Sequence, residues 1–84
     1  MGKYDPLRRF LEKAAPGVAE ITLSFSQIEQ ILGDGLPYTA KHYGHWWANE
    51  VRSGTGPQSS SWLDAGWEVD EVEREQKWVR FRRG

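Results

Sequence analysis

The stretch Trp67-Glu68-Val69-Asp70-Glu71-Val72-Glu73-Arg74-Glu75-Gln76-Lys77-Trp78-Val79-Arg80-Phe81-Arg82 decides the fold. It reads as two strands, Trp67 to about Val72 and Lys77 to about Arg82, joined by a charged turn. With the hairpin centred on Glu75, Val69 pairs with Phe81 on the inner face. On the outer face Asp70 meets Arg80 and Glu68 meets Arg82. Opposite charges across a strand pair are the favourable arrangement. Trp78 lies outside in this register, next to Val72.

Upstream of the hairpin, Arg52 to Ser61 is rich in Ser, Gly and Pro and reads as a loop. Residues Ser60 to Gly66 then make a helical turn ended by glycine, and Trp62 and Trp67 fill the space between loop and wing. Further back, Leu36-Pro37 opens a third helix that runs to about Val51. Ala40, Tyr43 and Trp47 form its inward stripe, at i, i+3 and i+7. Thr39, Lys41, His42, His45, Trp46 and Asn49 face elsewhere. Gly44 in mid-helix costs about 1 kcal/mol relative to alanine, so the helix bends there or something approaches its backbone.

The first half of the chain holds two helices and a strand. Asp5 caps the first helix and Pro6 takes N1, where its missing N–H is harmless. Leu7, Phe10, Leu11 and Ala14 point inward, and Ala15-Pro16-Gly17 ends the run. Ile21, Leu23 and Phe25 alternate with Thr22 and Ser24, as a strand with one wet side does. Ser24 or Ser26 caps the second helix, where Ser26-Gln27-Ile28-Glu29 resembles a capping box. Ile28, Ile31 and Leu32 are its buried stripe, and Gly33-Asp34-Gly35 stops it.

The order helix, strand, helix, helix, strand, strand is that of a small α+β, winged-helix-like domain. The third helix stands where a recognition helix stands, and the hairpin is the wing. A loop and short helical segment at 52–66, between helix three and the wing, departs from that plan. With 84 residues, the chain (1–84) is a single domain without room for a second core. It has no cysteine, which removes disulfides, thiolate nucleophiles and thiolate metal sites. No apolar run approaches the roughly 20 residues that span a bilayer, and the N-terminus lacks a signal-peptide core. A cytoplasmic location without membrane contact is the expectation. Net charge is −1, from 11 basic and 12 acidic residues, which argues against a non-specific nucleic-acid binder but permits a local basic patch.

Several stretches resemble a widespread, functionally uncharacterised family of small bacterial and phage domains. They are Leu23-Ser24-Phe25 with Ile28-Glu29 and Ile31-Leu32-Gly33, then Leu36-Pro37, Ala40 and Trp46-Trp47-Ala48-Asn49. Gln58-Ser59, Trp62-Leu63, Ala65-Gly66-Trp67-Glu68-Val69 and Val79-Arg80-Phe81-Arg82 continue the likeness. The Trp-Trp-x-Asn and Ala-Gly-Trp elements are its most specific parts. The resemblance implies an accessory binding module and supplies no mechanism.

Catalysis finds little support. His42 and His45 sit i, i+3 and could share a metal, but a third ligand would have to be a carboxylate such as Glu50 or Asp64. Surface histidines are the simpler reading. Ser59 to Ser61 with His45 and Asp64 can be written as a triad, although three serines in one loop make that match nearly free. Gly54-Thr55-Gly56 lacks the strand, helix and lysine of a phosphate loop. No enzyme, metal or cofactor is expected.

Helix three is the better candidate. Adjacent Trp46 and Trp47 lie about 100° apart on an α-helix, so at least one is expected to be partly exposed or to lie under a loop. Trp46 is the one the fold leaves without a direction. With Thr39, Lys41, His42, His45 and Asn49, and with Arg52 and Gln58 within reach, it makes a mixture suited to DNA: cations for phosphate, amides for base edges, an aromatic for stacking. Trp78, Arg80 and Arg82 of the wing are secondary contacts, weakened by Glu68 and Asp70. The structural alternative is that Trp46 roofs the core beneath the loop while Asn49 and Gln58 tie the loop to the helix. The leading expectation is a non-enzymatic regulatory or accessory DNA reader. The competing one is a protein-interaction module, or a phage or mobile-element inhibitor that binds a host protein through exposed aromatics.

Overall fold

A computed structural model describes residues 3–49 and 57–83. Along these the chain forms α1 (Asp5–Glu12), β1 (Glu20–Ser24), α2 (Phe25–Leu32), α3 (Tyr38–His42), a 3₁₀ turn (Gly44–Trp47), α4 (Pro57–Leu63), β2 (Trp67–Glu73) and β3 (Trp78–Arg83). The class is α+β and the order of helices and strands is broadly the expected one. The three strands make one antiparallel sheet in the order β1-β3-β2. No helix among the described residues is long and apolar enough to cross a membrane.

In α1 the buried line is Tyr4, Leu7 and Leu11, spaced i, i+3 and i+7. Tyr4 fills the place the sequence pattern gave to Phe10, which lies off this line and is 40% exposed. Asp5 is not the N-cap: Tyr4 holds that position without a side-chain bond, and Asp5 stands in the first turn, where a carboxylate suits the helix dipole. The helix ends at Glu12, short of Ala15-Pro16-Gly17.

β1 stops one residue early, because Phe25 begins α2. Ser24 is the cap. Its Oγ accepts from the Gln27 N–H at 3.0 Å, and the Gln27 side chain accepts from the Ser24 N–H at 2.8 Å. The box therefore runs from Ser24 to Gln27 and not from Ser26 to Glu29. Glu29 instead reaches forward to accept from the Leu36 N–H at 2.8 Å. Gly33, at φ 75°, closes α2 in the left-handed conformation glycine adopts freely.

The long third helix does not form. α3 stops at His42, Tyr43 turns extended at φ −130° and ψ 120°, and a 3₁₀ turn follows from Gly44. The bend expected near Gly44 is thus a full break. Ala40 and Trp47 are buried as read, whereas Tyr43 at the break is turned out and 48% exposed. Trp47 donates its indole N–H to the Ala40 carbonyl at 2.9 Å, which folds the turn back onto the helix.

α4 covers Pro57–Leu63, so the helical turn expected from Ser60 begins three residues earlier, and residues 57–59 are helix and not loop. Serine is a modest helix former, but Pro57 suits a first turn and Trp62 is completely buried against Phe81 and Trp47, which outweighs propensity. Trp67 is also core, its indole N–H donating to the Leu11 carbonyl at 3.1 Å.

In the hairpin Val69 pairs with Phe81 and Glu68 with Arg82, as the charge pattern predicts. A bulge between Val69 and Glu71 then shifts the register by one, so Glu71 lies opposite Arg80, and Trp78 opposite Glu73 instead of beside Val72. The bulged Asp70 still reaches Arg80. Val72 pairs with the buried Val79 on the inner face, a position the uninterrupted register would have turned outward.

Candidate partner-binding face

The sequence pattern groups eight residues around helix three, and the structure divides them. Trp46 is core, at 9% exposure. Tyr4 meets it edge-on at 5.7 Å and Trp47 at 4.6 Å, with Trp62 beyond. The expectation that one of two adjacent tryptophans is partly exposed or lies under a loop assumed an α-helix with a single buried side. In the 3₁₀ turn both are enclosed, Trp46 by Tyr4 and Trp47 by the stacked rings of Phe25 and Trp62.

Asn49 and Gln58 bond inward. The Asn49 carboxamide donates to the Val69 carbonyl at 2.9 Å and accepts from the Val69 N–H at 2.8 Å and the Trp62 indole at 2.9 Å. Gln58 Nε2 lies 3.4 Å from the Trp46 carbonyl. Of the expected tie between the 52–61 loop and the helix end, Gln58 alone makes a part, while Asn49 joins the 3₁₀ turn to β2 and Trp62. Arg52 lies outside the described residues.

Thr39, Lys41, His42 and His45 are exposed. Lys41 Nζ stands 3.3 Å from a Glu29 carboxylate oxygen. The Leu36 N–H first, and then Lys41, hold the Glu29 carboxyl below its ordinary value. His42 stacks on Tyr38 with ring centres 4.1 Å apart, and His45 lies 5.7 Å from Tyr43. The two tyrosines are 6.2 Å apart, exposed at 67% and 48%. The result is one surface around the α3 break, two phenol rings side by side with an imidazole against each.

Neither tyrosine was among the expected site residues. The i, i+3, i+7 period puts Tyr43 in the core only in an unbroken helix, and α3 ends one residue before it. Tyr38 carried one signal, a large aromatic in the first turn of a short polar helix. Arg74 was also unforeseen. Its guanidinium donates to the His42 carbonyl at 2.6 Å and so locks the hairpin turn to the end of α3. Between them lies a cleft of about 820 Å³, bordered by Glu29, Lys41 and His42 on one side and Glu73, Arg74 and Lys77 on the other. Its charges are mixed.

On the hairpin, Trp78 is half-buried, with the Arg80 guanidinium 5.9 Å from its ring centre. Arg80 bonds Asp70 at 2.7 Å and Glu71 at 2.8 Å, and the Asp70 bond above all raises its pKa. Arg82 reaches Glu68 at 3.2 Å and Asp70 at 3.3 Å. Among the described residues no group of three His, Asp or Glu could hold a metal ion. The chain matches no curated protein and no solved structure. A family model described as a domain of unknown function, DUF7662, matches residues 4–84, and the chain belongs to that family.

Proposed function

We propose that this domain is a non-enzymatic protein-interaction module whose contact face is built from Tyr38, Thr39, His42, Tyr43 and His45. The observation that carries this reading is the pair of exposed, mutually packed tyrosines, each with a histidine ring against it. Tyrosine gives a binding surface large rigid contact area with a polar tip, and it is enriched at interface hot spots. The face is poor in formal charge. Its one lysine, Lys41, is paired with Glu29, and the side chains best suited to base edges, Asn49 and Gln58, make bonds inside the domain. Affinity capture in the organism of origin tests the reading, comparing the wild type with the double variant Tyr38→Ser, Tyr43→Ser. A stoichiometric protein held by the wild type and lost from the variant is the expected result. Identical sets of captured proteins would sink it.

A second reading, a DNA reader of the winged-helix kind, draws on a different observation. The β1-β3-β2 sheet behind two helices, with Lys41, His42, Arg74 and Lys77 meeting at the cleft between α3 and the hairpin, suits a phosphate backbone. Titration with double- and single-stranded DNA at low and moderate salt separates the two. Salt-sensitive binding that disappears in Lys41→Glu, His45→Glu favours DNA, and its absence leaves the protein partner.

A further inference from the structure

The two outer edges of the sheet are treated differently. On β2 the Asn49 carboxamide satisfies both backbone groups of Val69. On β1, the Ala19 carbonyl accepts from the Arg83 N–H and the Phe25 N–H donates to the Lys77 carbonyl, both at 2.9 Å. Odd-numbered residues of β1 therefore turn their backbone groups toward β3, and Glu20, Thr22 and Ser24 turn theirs outward. The Ser24 N–H is taken by Gln27. The N–H and C=O of Glu20 and Thr22 have no partner among the described residues.

We propose that this edge pairs antiparallel with the β1 edge of a second copy of the chain, about a two-fold axis at Thr22. The axis places Thr22 opposite Thr22, exchanging two backbone bonds, a threonine pair that is itself favourable. It places Glu20 opposite Ser24, whose carbonyl keeps a second lone pair for the Glu20 N–H. The two Glu20 carboxylates then stand about 13 Å apart along the strands, so the like charges do not face each other. The strand Glu20-Ile21-Thr22-Leu23-Ser24 carries no lysine and no proline, the residues that commonly block an edge. An edge this short gives a heterologous flexible peptide few bonds against its ordering cost, whereas a folded second copy presents its strand already extended. Two three-stranded sheets become one continuous sheet through a small, concentration-dependent contact.

Sedimentation equilibrium of the full chain tests this, with Thr22→Pro and Thr22→Val beside the wild type. Wild type and Thr22→Val should move from monomer toward dimer mass between about 10 μM and 1 mM, as a contact at the low end of interface size does. Thr22→Pro removes an N–H that the protomer does not use, at an edge where proline is tolerated, and should stay monomeric. A wild type that is monomeric throughout, or a proline variant that dimerises as well as the wild type, overturns the proposal. Should Thr22→Pro fail to fold, hydrogen exchange on the wild type decides. Slower exchange at the Thr22 N–H with rising concentration supports the pairing, and unchanged exchange overturns it. Tyr38→Ser with Tyr43→Ser should leave the dimer intact, which separates this surface from the partner-binding face.

Discussion

Asn49 and Val69 are twenty residues apart and bonded twice, the carboxamide of one closing both backbone groups of the other at 2.8 and 2.9 Å. The same Asn49 oxygen accepts from the indole of Trp62, a fully buried ring. One side chain thus ties the 3₁₀ turn, α4 and the edge of the sheet together.

Asn49→Ala leaves the Trp62 N–H and two strand groups without partners. Unpaired groups of this kind cost roughly 1–3 kcal/mol, and two of the three regain water. We expect a loss of about 2 kcal/mol by urea denaturation, with the fold retained. A change under about 0.5 kcal/mol would show that the carboxamide is not holding the edge.

At the start of α2, Ser24 and Gln27 bond each other reciprocally. Ser24→Ala should cost about 1 kcal/mol, the usual loss for an N-cap hydroxyl, whereas Ser26→Ala should be near neutral. Equal losses at the two serines would contradict the placement of the cap.

The carboxyl of Glu29 is held low by the Leu36 N–H and then by Lys41. Its ionised form is therefore favoured by folding, a stabilisation present above the ordinary value of 4.5 and lost as pH falls through the lower folded value. Glu29→Gln should lose this contribution, so its deficit against the wild type is constant near neutral pH and shrinks in acid. The side chain is partly exposed, so solvent screening keeps the deficit under about 1 kcal/mol. Denaturation midpoints across acid and neutral pH measure it, and a deficit that grows in acid would refute the assignment.

Gly44 begins the 3₁₀ turn, and a Cβ built there meets the Arg74 Nε at 3.9 Å, an ordinary contact. Gly44→Ala should be neutral or stabilising by up to about 1 kcal/mol through the unfolded chain. A substantial loss of melting temperature would mean that close approach, which the geometry does not show, is what the glycine serves.

Local rules were legible wherever neighbours in sequence settle the matter. The charge pairing of Glu68 with Arg82 marked the hairpin, and the stripe of Ile28, Ile31 and Leu32 ended by Gly33 marked α2, whereas the choice between Ser24 and Ser26 as its cap stayed open. The register was legible only as far as Val69, because a bulge leaves no clear signature in Asp70-Glu71. The site was harder still. Lys41, His42 and His45 are on the surface as the polar pattern says, while Trp46 and Tyr43 exchanged roles.

By itself the sequence determined the α+β class, the order of elements, most of the core and the glycine end of α2, because periodicity and glycines act over a few residues. Only the tertiary structure decided where the third helix breaks and which aromatics are left outside. Packing against Tyr4, Phe25 and Trp62, distant in the chain, encloses both members of the tryptophan pair. The phenol rings of Tyr38 and Tyr43 are left on the surface.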